Sequence, residues 1–200
     1  MSKRIVLVRH CKASMEGADK ERALDNDGLI QSQSLCKKIN SLLKPDSEIY
    51  SSPFRRAVES LTPLTKINTN IGIKEVKFLE EIHIEKDANL SKHQIIEKMW
   101  SDPDYFVGQS MSQNKHYSLI KNDIDKLINN FFEGNKDLII VTHGNLLGMI
   151  IKFKFNQNFG YTDWKIMSMP DLYILNFDEN NKIIDLKRDI NNIEKIFQIK

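Results

Sequence analysis

The sequence has few of the residues that mark specialised protein classes. Two cysteines in 200 residues are too few for a disulfide-rich scaffold, and neither lies in a CxxC pair that would favour a structural zinc site. Eight glycines and five prolines exclude collagen-like and low-complexity chains. No run of about 18 apolar residues is present, so no membrane span is predicted.

No excess of one charge is present either. The 29 basic and 27 acidic residues give a net charge of +2 and are mixed along the chain. A nucleic-acid binder usually carries a basic patch or tail, so we expect no nucleic-acid partner. The four apolar residues 5–8 are too few for a signal-peptide core, and we expect a cytoplasmic protein without a membrane partner. The length favours a single domain over residues 1–200, while the oligomeric state stays open.

Arginine is scarce, with 6 arginines against 23 lysines. Three of the six are Arg9, Arg55 and Arg56. Arginine and lysine are not interchangeable where a planar group must hold a phosphate or carboxylate through two hydrogen bonds. This clustering indicates where the chemistry lies.

Strand and helix patterns alternate along the chain. The predicted strands are 5–8, 48–51, 74–79, 138–141, 172–177 and 182–186, the last two forming a hairpin. The predicted helices are 29–43, one opening at Ser52-Pro53, 94–100, 117–132 and one from Leu146. Alternation of this kind predicts an α/β fold with a largely parallel sheet.

Two of the apolar strands run directly into a histidine. Strand 5–8 is followed by Arg9-His10, and strand 138–141 by Thr142-His143-Gly144. Ligands of open α/β sheets bind beyond the carboxyl ends of the strands, so the two histidines can converge on one crevice. Either histidine taken alone is better explained as a satisfied strand-end residue, whereas two histidines at the same point of two strands favour a shared site.

A third polar segment follows strand 48–51. Ser52 and Pro53 suit the N-cap and first position of a helix, whose N-terminus favours an anion. One of Arg55 and Arg56 can then point toward a phosphate while the other faces solvent. With the two histidines, this predicts a phosphate pocket, and no P-loop, HExxH or acidic metal-ligand motif is present.

Four segments, in this order and spacing, resemble the histidine phosphatase superfamily, the phosphoglycerate-mutase-like proteins. They are Val8-Arg9-His10, the segment from Ser51-Ser52-Pro53 to Arg56-Ala57, Leu79-Glu80-Glu81 and Val141-Thr142-His143-Gly144. Weaker similarities are Leu24 with Gly28, Gly108-Gln109-Ser110, and, to a bacterial phosphatase-like branch, Asp163-Trp164 and Met169-Pro170-Asp171. The resemblance extends to about residue 190. It implies a three-layer α/β/α sandwich with a mostly parallel central sheet, and we expect residues 83–115 to cover the pocket.

The resemblance also implies the chemistry. His10 would be the nucleophile that takes the phosphoryl group. The phosphate would be held by Arg9, Arg56, His143 and Gly144. Positive charge would come from the arginines and, if protonated, from His143. We expect the attacking nitrogen of His10 to be neutral and its other N–H to be held by a backbone carbonyl. Neither a cofactor nor a metal is expected.

The general acid that protonates the leaving alcohol would be Glu81, which then has to stay protonated near neutral pH. Desolvation or a neighbouring carboxylate could arrange this. Glu80 is the competing assignment, although alternation along a strand would send the two side chains to opposite faces.

The leading prediction is a metal-independent phosphatase that acts on a small phosphorylated metabolite through a phosphohistidine. The alternatives are a mutase of the phosphoglycerate type and a non-catalytic domain that binds a phosphorylated ligand. Three departures from the family pattern bear on the pocket: Cys11 replaces a glycine, Lys12-Ala13 replaces Glu-Thr, and Gln109 replaces a glutamate. The cysteine indicates a backbone that needs no positive φ at residue 11. His83, His93 and His116 lie outside the motifs and are interpreted as non-catalytic.

Overall fold

The computed structural model describes residues 3–82, 89–101, 116–156, 158–190 and 193–197. The strands are β1 (Lys3–Arg9), β2 (Glu48–Ser51), β3 (Ile73–Glu75), β4 (Leu138–Thr142), β5 (Asp171–Phe177), β6 (Ile183–Ile190) and β7 (Ile193–Phe197). The helices are α1 (Asn26–Leu42), α2 (Arg55–Ile67), α3 (Lys92–Ser101), α4 (His116–Glu133), α5 (Gly144–Ile150) and α6 (Tyr161–Lys165). A π-helical turn, Ile151–Phe155, continues α5, and 3₁₀ turns lie at Asp19–Glu21 and Lys77–Leu79.

The strands form one sheet in the order β3-β2-β4-β1-β5-β6-β7. β3, β2, β4 and β1 pair in parallel, whereas β5, β6 and β7 continue the sheet in antiparallel fashion. Because β6 is antiparallel to β5, it runs in the same direction as β1 to β4, and five of the seven described strands share that direction. Parallel neighbours end at the same edge of a sheet, so β2, β4 and β1 place their carboxyl ends side by side.

Apolar residues bury both faces of the sheet. Along β1, Ile5 and Leu7 contribute to a core with α4 and α5, while Val6 and Val8 face a second core with α1 and α2. Successive side chains of a strand point to opposite faces, so a strand buried on both sides is a continuous apolar run. The predicted three-layer α/β/α arrangement is confirmed.

Two local expectations differ from the structure. α2 begins at Arg55 with Phe54 as its N-cap residue, so Ser52 and Pro53 precede the helix. The predicted strand 74–79 ends at Glu75 and gives way to the 3₁₀ turn 77–79. The predicted hairpin is confirmed: β5 and β6 are joined by the tight turn 178–182, and such a short connection requires antiparallel strands.

Most of the predicted pocket cover, residues 83–115, lies outside the described residues, apart from 89–101 with α3. Gly108-Gln109-Ser110 and His83 lie outside them as well. Among the described helices, none has the length and apolarity needed to cross a membrane.

Candidate active site

Three strand ends bring the predicted residues together. The amide N–H groups of His10 and Ser52 donate to the carbonyls of Thr142 and Val141, at 3.0 and 2.9 Å, so β4 aligns the residues that follow β1 and β2. The rings of His10 and His143 lie 5.0 Å apart, edge to face. The two histidines thus share one crevice at the carboxyl edge of the sheet.

His10 is buried and is oriented by its own backbone neighbour. Its Nδ1 lies 2.6 Å from the carbonyl oxygen of Cys11, so Nδ1 carries the proton and donates it to that oxygen. The Nε2 atom then has a lone pair, to which the Nε–H of Arg56 donates at 3.2 Å. Burial, followed by the charges of Arg56, Arg9 and Arg22, lowers the pKa of His10 to about 3, so the imidazole stays neutral.

Cys11 fits the position that a glycine holds in the family pattern. Among the described non-glycine residues, Asn181 has a positive φ and Cys11 does not, so Cys11 has an ordinary backbone conformation. The amide of Cys11 donates to Ser60 Oγ at 2.9 Å, and its fully buried thiol packs in the core beneath α1 and α2. Burial raises the pKa of this thiol to about 11, which leaves it protonated and unreactive.

The two neighbouring arginines of α2 have different surroundings. Arg56 is 3% exposed, lies 4.8 Å over the Phe54 ring, and donates to the backbone carbonyl of Asp19 as well as to His10. Arg55 is exposed and forms an ion pair with Glu59 one turn along the helix. Arg56 is therefore the arginine that faces the crevice.

Arg9 ends β1 and lies against the start of α5. Its Nη1 donates to the carbonyls of Met167 and Ser168, at 3.1 and 3.3 Å. A Cβ atom on Gly144 would lie 3.1 Å from the guanidinium carbon of Arg9, so the absence of a side chain lets the guanidinium approach the helix N-terminus.

His143 is the N-cap residue of α5. Its Nε2 lies 2.8 Å from Ser52 Oγ. Burial, together with the charges of His10, Arg56 and Arg9, keeps the pKa of His143 well below its usual value. This environment favours the neutral form of His143 over the protonated form that would add positive charge to the site.

The two candidate acids have separate environments. Glu80 follows the 3₁₀ turn 77–79 and pairs with Lys20, with Nζ 3.0 and 3.2 Å from its carboxylate oxygens. Glu81 accepts from the backbone amides of Ile82, Asn145 and Leu146 at 3.0–3.2 Å, at the N-terminus of α5. Desolvation raises the pKa of Glu81, and the three amides and Arg9 oppose this rise. Glu81 is the carboxyl that lies with His143 and Arg9.

The sequence matches the family model for the histidine phosphatase superfamily (branch 1) over residues 5–190. The chain belongs to the histidine phosphatase superfamily. No curated relative matches the sequence.

Solved structures of this superfamily share the fold. A mutant phosphoserine phosphatase from Entamoeba histolytica, in complex with phosphoserine, has a TM-score of 0.64 and 16% identity, covering 98% of this chain and 96% of its own. A phosphoglycerate mutase from Bacillus anthracis has a TM-score of 0.61 and 14% identity, covering 91% and 90%. The protein histidine phosphatase SixA complexed with tungstate has a TM-score of 0.56 and 13% identity, covering 98% and 95%. At these identities the similarity establishes the fold, and the superfamily indicates phosphatase or phosphoryl-transfer chemistry.

The site of this superfamily member includes further residues that the motifs do not reveal. Arg22 lies close enough for its charge to lower the pKa of His10 and His143. Among the described residues, three buried donor nitrogens near His10 have no hydrogen-bond partner, namely Arg9 Nε, Arg22 Nε and His143 Nδ1, and one buried acceptor, Asn145 Oδ1, has none either. Unpaired buried donors are rare and suit an anionic ligand. The scarcity of arginine was the available signal for Arg22.

His93 and the described metal-ligand groups do not extend the site, and His83 lies outside the described residues. His93 lies at the surface, with Nε2 2.9 Å from the hydroxyl of Tyr161, and His116 lies at the start of α4. Within the described ranges, no three residues of the His, Cys, Asp and Glu types group together as a metal site.

Proposed function

We propose that this protein is a metal-independent phosphatase that hydrolyses a small phosphate monoester through a phosphohistidine on His10. The observation that carries the proposal is the fixed orientation of a neutral His10. Its Nδ1 is held by the Cys11 carbonyl, and its Nε2 lone pair faces Arg56. A neutral imidazole with one nitrogen held and the other directed at cationic donors is prepared to attack phosphorus.

The first half of the reaction transfers the phosphoryl group to the protein. The Nε–H of Arg56 moves from His10 Nε2 to a phosphate oxygen, which frees the Nε2 lone pair. His10 Nε2 then forms a bond to phosphorus as the ester P–O bond breaks, and Glu81 donates its proton to the leaving oxygen. The transferring group carries its charge on three equatorial oxygens, so fixed donors lower the barrier. Arg9 and Arg56 supply charged donors, and the Nδ1–H of His143 supplies a neutral one when its Nε2 accepts from Ser52.

The second half returns the protein to its starting state. A water molecule attacks the phosphorus, its proton passes to the Glu81 carboxylate, and the P–N bond to His10 breaks. Inorganic phosphate leaves. Glu81 thus acts first as acid and then as base, which requires a carboxyl that exists in both forms near neutral pH, and its raised pKa supports this.

A mutase is the second candidate, because the Bacillus anthracis phosphoglycerate mutase has almost the same structural similarity as the phosphoserine phosphatase. The two reactions share the phosphohistidine and differ in whether water or a second hydroxyl of the substrate receives the phosphoryl group. For the phosphatase reaction, we propose a small phosphorylated metabolite as the substrate.

Two assays run side by side test the function. Release of p-nitrophenolate from p-nitrophenyl phosphate, lost in His10→Ala, is the expected result for a phosphatase. Interconversion of 3- and 2-phosphoglycerate without net phosphate release would identify a mutase. Phosphate binding without turnover in either assay would contradict both enzymes and indicate a binding domain.

A further inference from the structure

A fully buried ion pair outside the proposed chemistry lies directly behind Arg9. Asp171, the first residue of β5, is 0% exposed, and Arg188 of β6 is 4% exposed. Arg188 holds both carboxylate oxygens of Asp171, with Nε and Nη2 each 2.8 Å from an oxygen. Burial of two charges is costly, so a pair kept at this depth calls for a reason beyond stability.

The ion pair is joined to Arg9 through one peptide group. The amide N–H of Ser168 donates to Asp171 Oδ2 at 2.9 Å. The carbonyl of the same peptide group, that of Met167, accepts from Arg9 Nη1 at 3.1 Å. A peptide group is planar and its N–H and C=O point in opposite directions, so the bond to Asp171 sets where the carbonyl points.

Arg188 fixes the two ends of this short segment. Its Nη2 donates to the carbonyl of Ile166 at 3.0 Å and to Ser168 Oγ at 3.3 Å. The carbonyl of Ser168 is the second acceptor for Arg9 Nη1, at 3.3 Å. Both protein acceptors of the Arg9 guanidinium therefore lie on a segment held by the Asp171–Arg188 pair.

Sheet pairing adds a second connection. Arg9 and Asp171 are direct partners in the antiparallel register of β1 and β5, and the negative charge of Asp171 acts on the Arg9 guanidinium. The other side of that guanidinium lies against Gly144. Arg9 is thus confined between the start of α5 and the carbonyls of Met167 and Ser168.

We propose that Asp171 and Arg188 are positioning residues that hold the Met167 and Ser168 carbonyls and thereby aim the Arg9 guanidinium at the bound phosphate. This inference rests on the proposed role of Arg9 as a phosphate ligand. It predicts that the pair acts on anion binding through Arg9, and that its effect disappears when Arg9 is absent.

A second arginine–aspartate pair, at the opposite end of β1, serves as the control. Arg4 contacts one oxygen of the buried Asp137, Oδ2, through Nε at 2.8 Å and Nη2 at 2.7 Å, and its Nη2 donates to the carbonyl of Leu42. Like Arg188, Arg4 thus joins a buried aspartate to a backbone carbonyl, but it lies roughly 16 Å along the strand from Arg9. Arg4→Lys and Arg188→Lys each keep the positive charge and replace the planar guanidinium, with its several donor nitrogens, by a single ammonium nitrogen.

The test is a double-mutant cycle on the full chain, read from the Kd of inorganic phosphate by calorimetry and from kcat/KM for p-nitrophenyl phosphate. Displacement of a positioned group by about 1 Å costs on the order of 100-fold in rate. We expect Arg188→Lys to weaken phosphate binding and kcat/KM by about tenfold or more, and Arg4→Lys by less than about twofold. In an Arg9→Ala background, Arg188→Lys should add less than about twofold.

Circular dichroism and thermal unfolding show whether each variant is folded at the assay temperature. Ser168→Ala is the second variant. It leaves the ion pair intact and removes both hydroxyl contacts that hold the segment, the one from Arg188 and the one to the Pro170 carbonyl. It should weaken phosphate binding severalfold only where Arg9 is present. Unchanged phosphate binding in Arg188→Lys and Ser168→Ala, or equal losses with and without Arg9, would overturn the inference. Wild-type protein that binds phosphate but turns over no ester would refute the proposed function and leave this inference standing.

Discussion

Replacing Arg56 and Arg55 separately by alanine tests the site with two adjacent residues of one type. Both belong to the first turn of α2. Arg56 is 3% exposed and contacts Nε2 of His10 at 3.2 Å, whereas the Arg55 side chain is 55% exposed and forms a surface ion pair with Glu59. The two variants remove the same charge from the same helical turn, so a difference in their activities arises from where each side chain lies.

The expected losses follow from these environments. Removing one buried, charged donor from a site that stabilises a transition state costs about 3 kcal/mol, which is roughly 100-fold in kcat/KM. An exposed ion pair contributes about 0–1 kcal/mol, so Arg55→Ala should lose at most about fivefold. The assay is initial-rate hydrolysis of p-nitrophenyl phosphate over a range of concentrations, with thermal unfolding measured on each variant.

Arg56→Lys refines the comparison. Lysine keeps the charge but lacks the Nε–H that meets His10 and the fork that also reaches Asp19. We expect Arg56→Lys to recover only part of the lost rate. Equal losses in Arg55→Ala and Arg56→Ala, with both proteins folded, would refute the assignment of Arg56.

Three further experiments test Glu81 as the general acid, the independence of the reaction from metal ions, and the effect of burying His10. Glu81→Gln should remove the fall in rate at high pH, since the protonated carboxyl is the active form, and should slow alkyl phosphates more than p-nitrophenyl phosphate; an unaltered pH profile would argue against Glu81. Exhaustive EDTA treatment should leave activity intact, and loss that Mg²⁺, Mn²⁺ or Zn²⁺ restores would contradict a reaction carried by His10 and arginines. The pKa of His10 is about 3 when folded and 6.5 ordinarily, so between these values the unfolded chain binds more protons and the free energy of unfolding falls as pH falls. Urea unfolding at pH 7.5 and 4.5 should show a smaller fall for His10→Gln than for wild type.

Sequence patterns predicted the parts of the fold that depend on local periodicity. The apolar runs of β1 and β4 and the helical spacing of α1 and α4 are properties of short segments, and the structure confirms them. The edge strand β7 was not predicted, because its sequence, Ile193-Glu194-Lys195-Ile196-Phe197, lacks the alternation of apolar and polar residues that marks a strand. The start of α2 was wrong by two residues, since Ser-Pro also suits the turn that precedes the helix.

The sequence predicted those residues of the candidate site that lie in motifs at the ends of strands. His10, His143 and Arg56 follow strands whose ends meet, which parallel pairing makes predictable. The alternation argument for Glu80 and Glu81 rested on a strand that is a 3₁₀ turn, and their separation arises from contacts with Lys20 and with the α5 amides. The lowered pKa of His143 arises from burial, which sequence does not specify.

Trapping the phosphorylated protein tests the central claim most directly. Wild type and His10→Ala are mixed briefly with ³²P-labelled phosphate ester, quenched in denaturant, and the label is challenged with acid and with alkali. The account predicts a label on wild type that is lost in acid and kept in alkali, as expected for a P–N bond, and no label on His10→Ala. Equal labelling of the two proteins, or a label that survives acid, would contradict a phosphohistidine on His10.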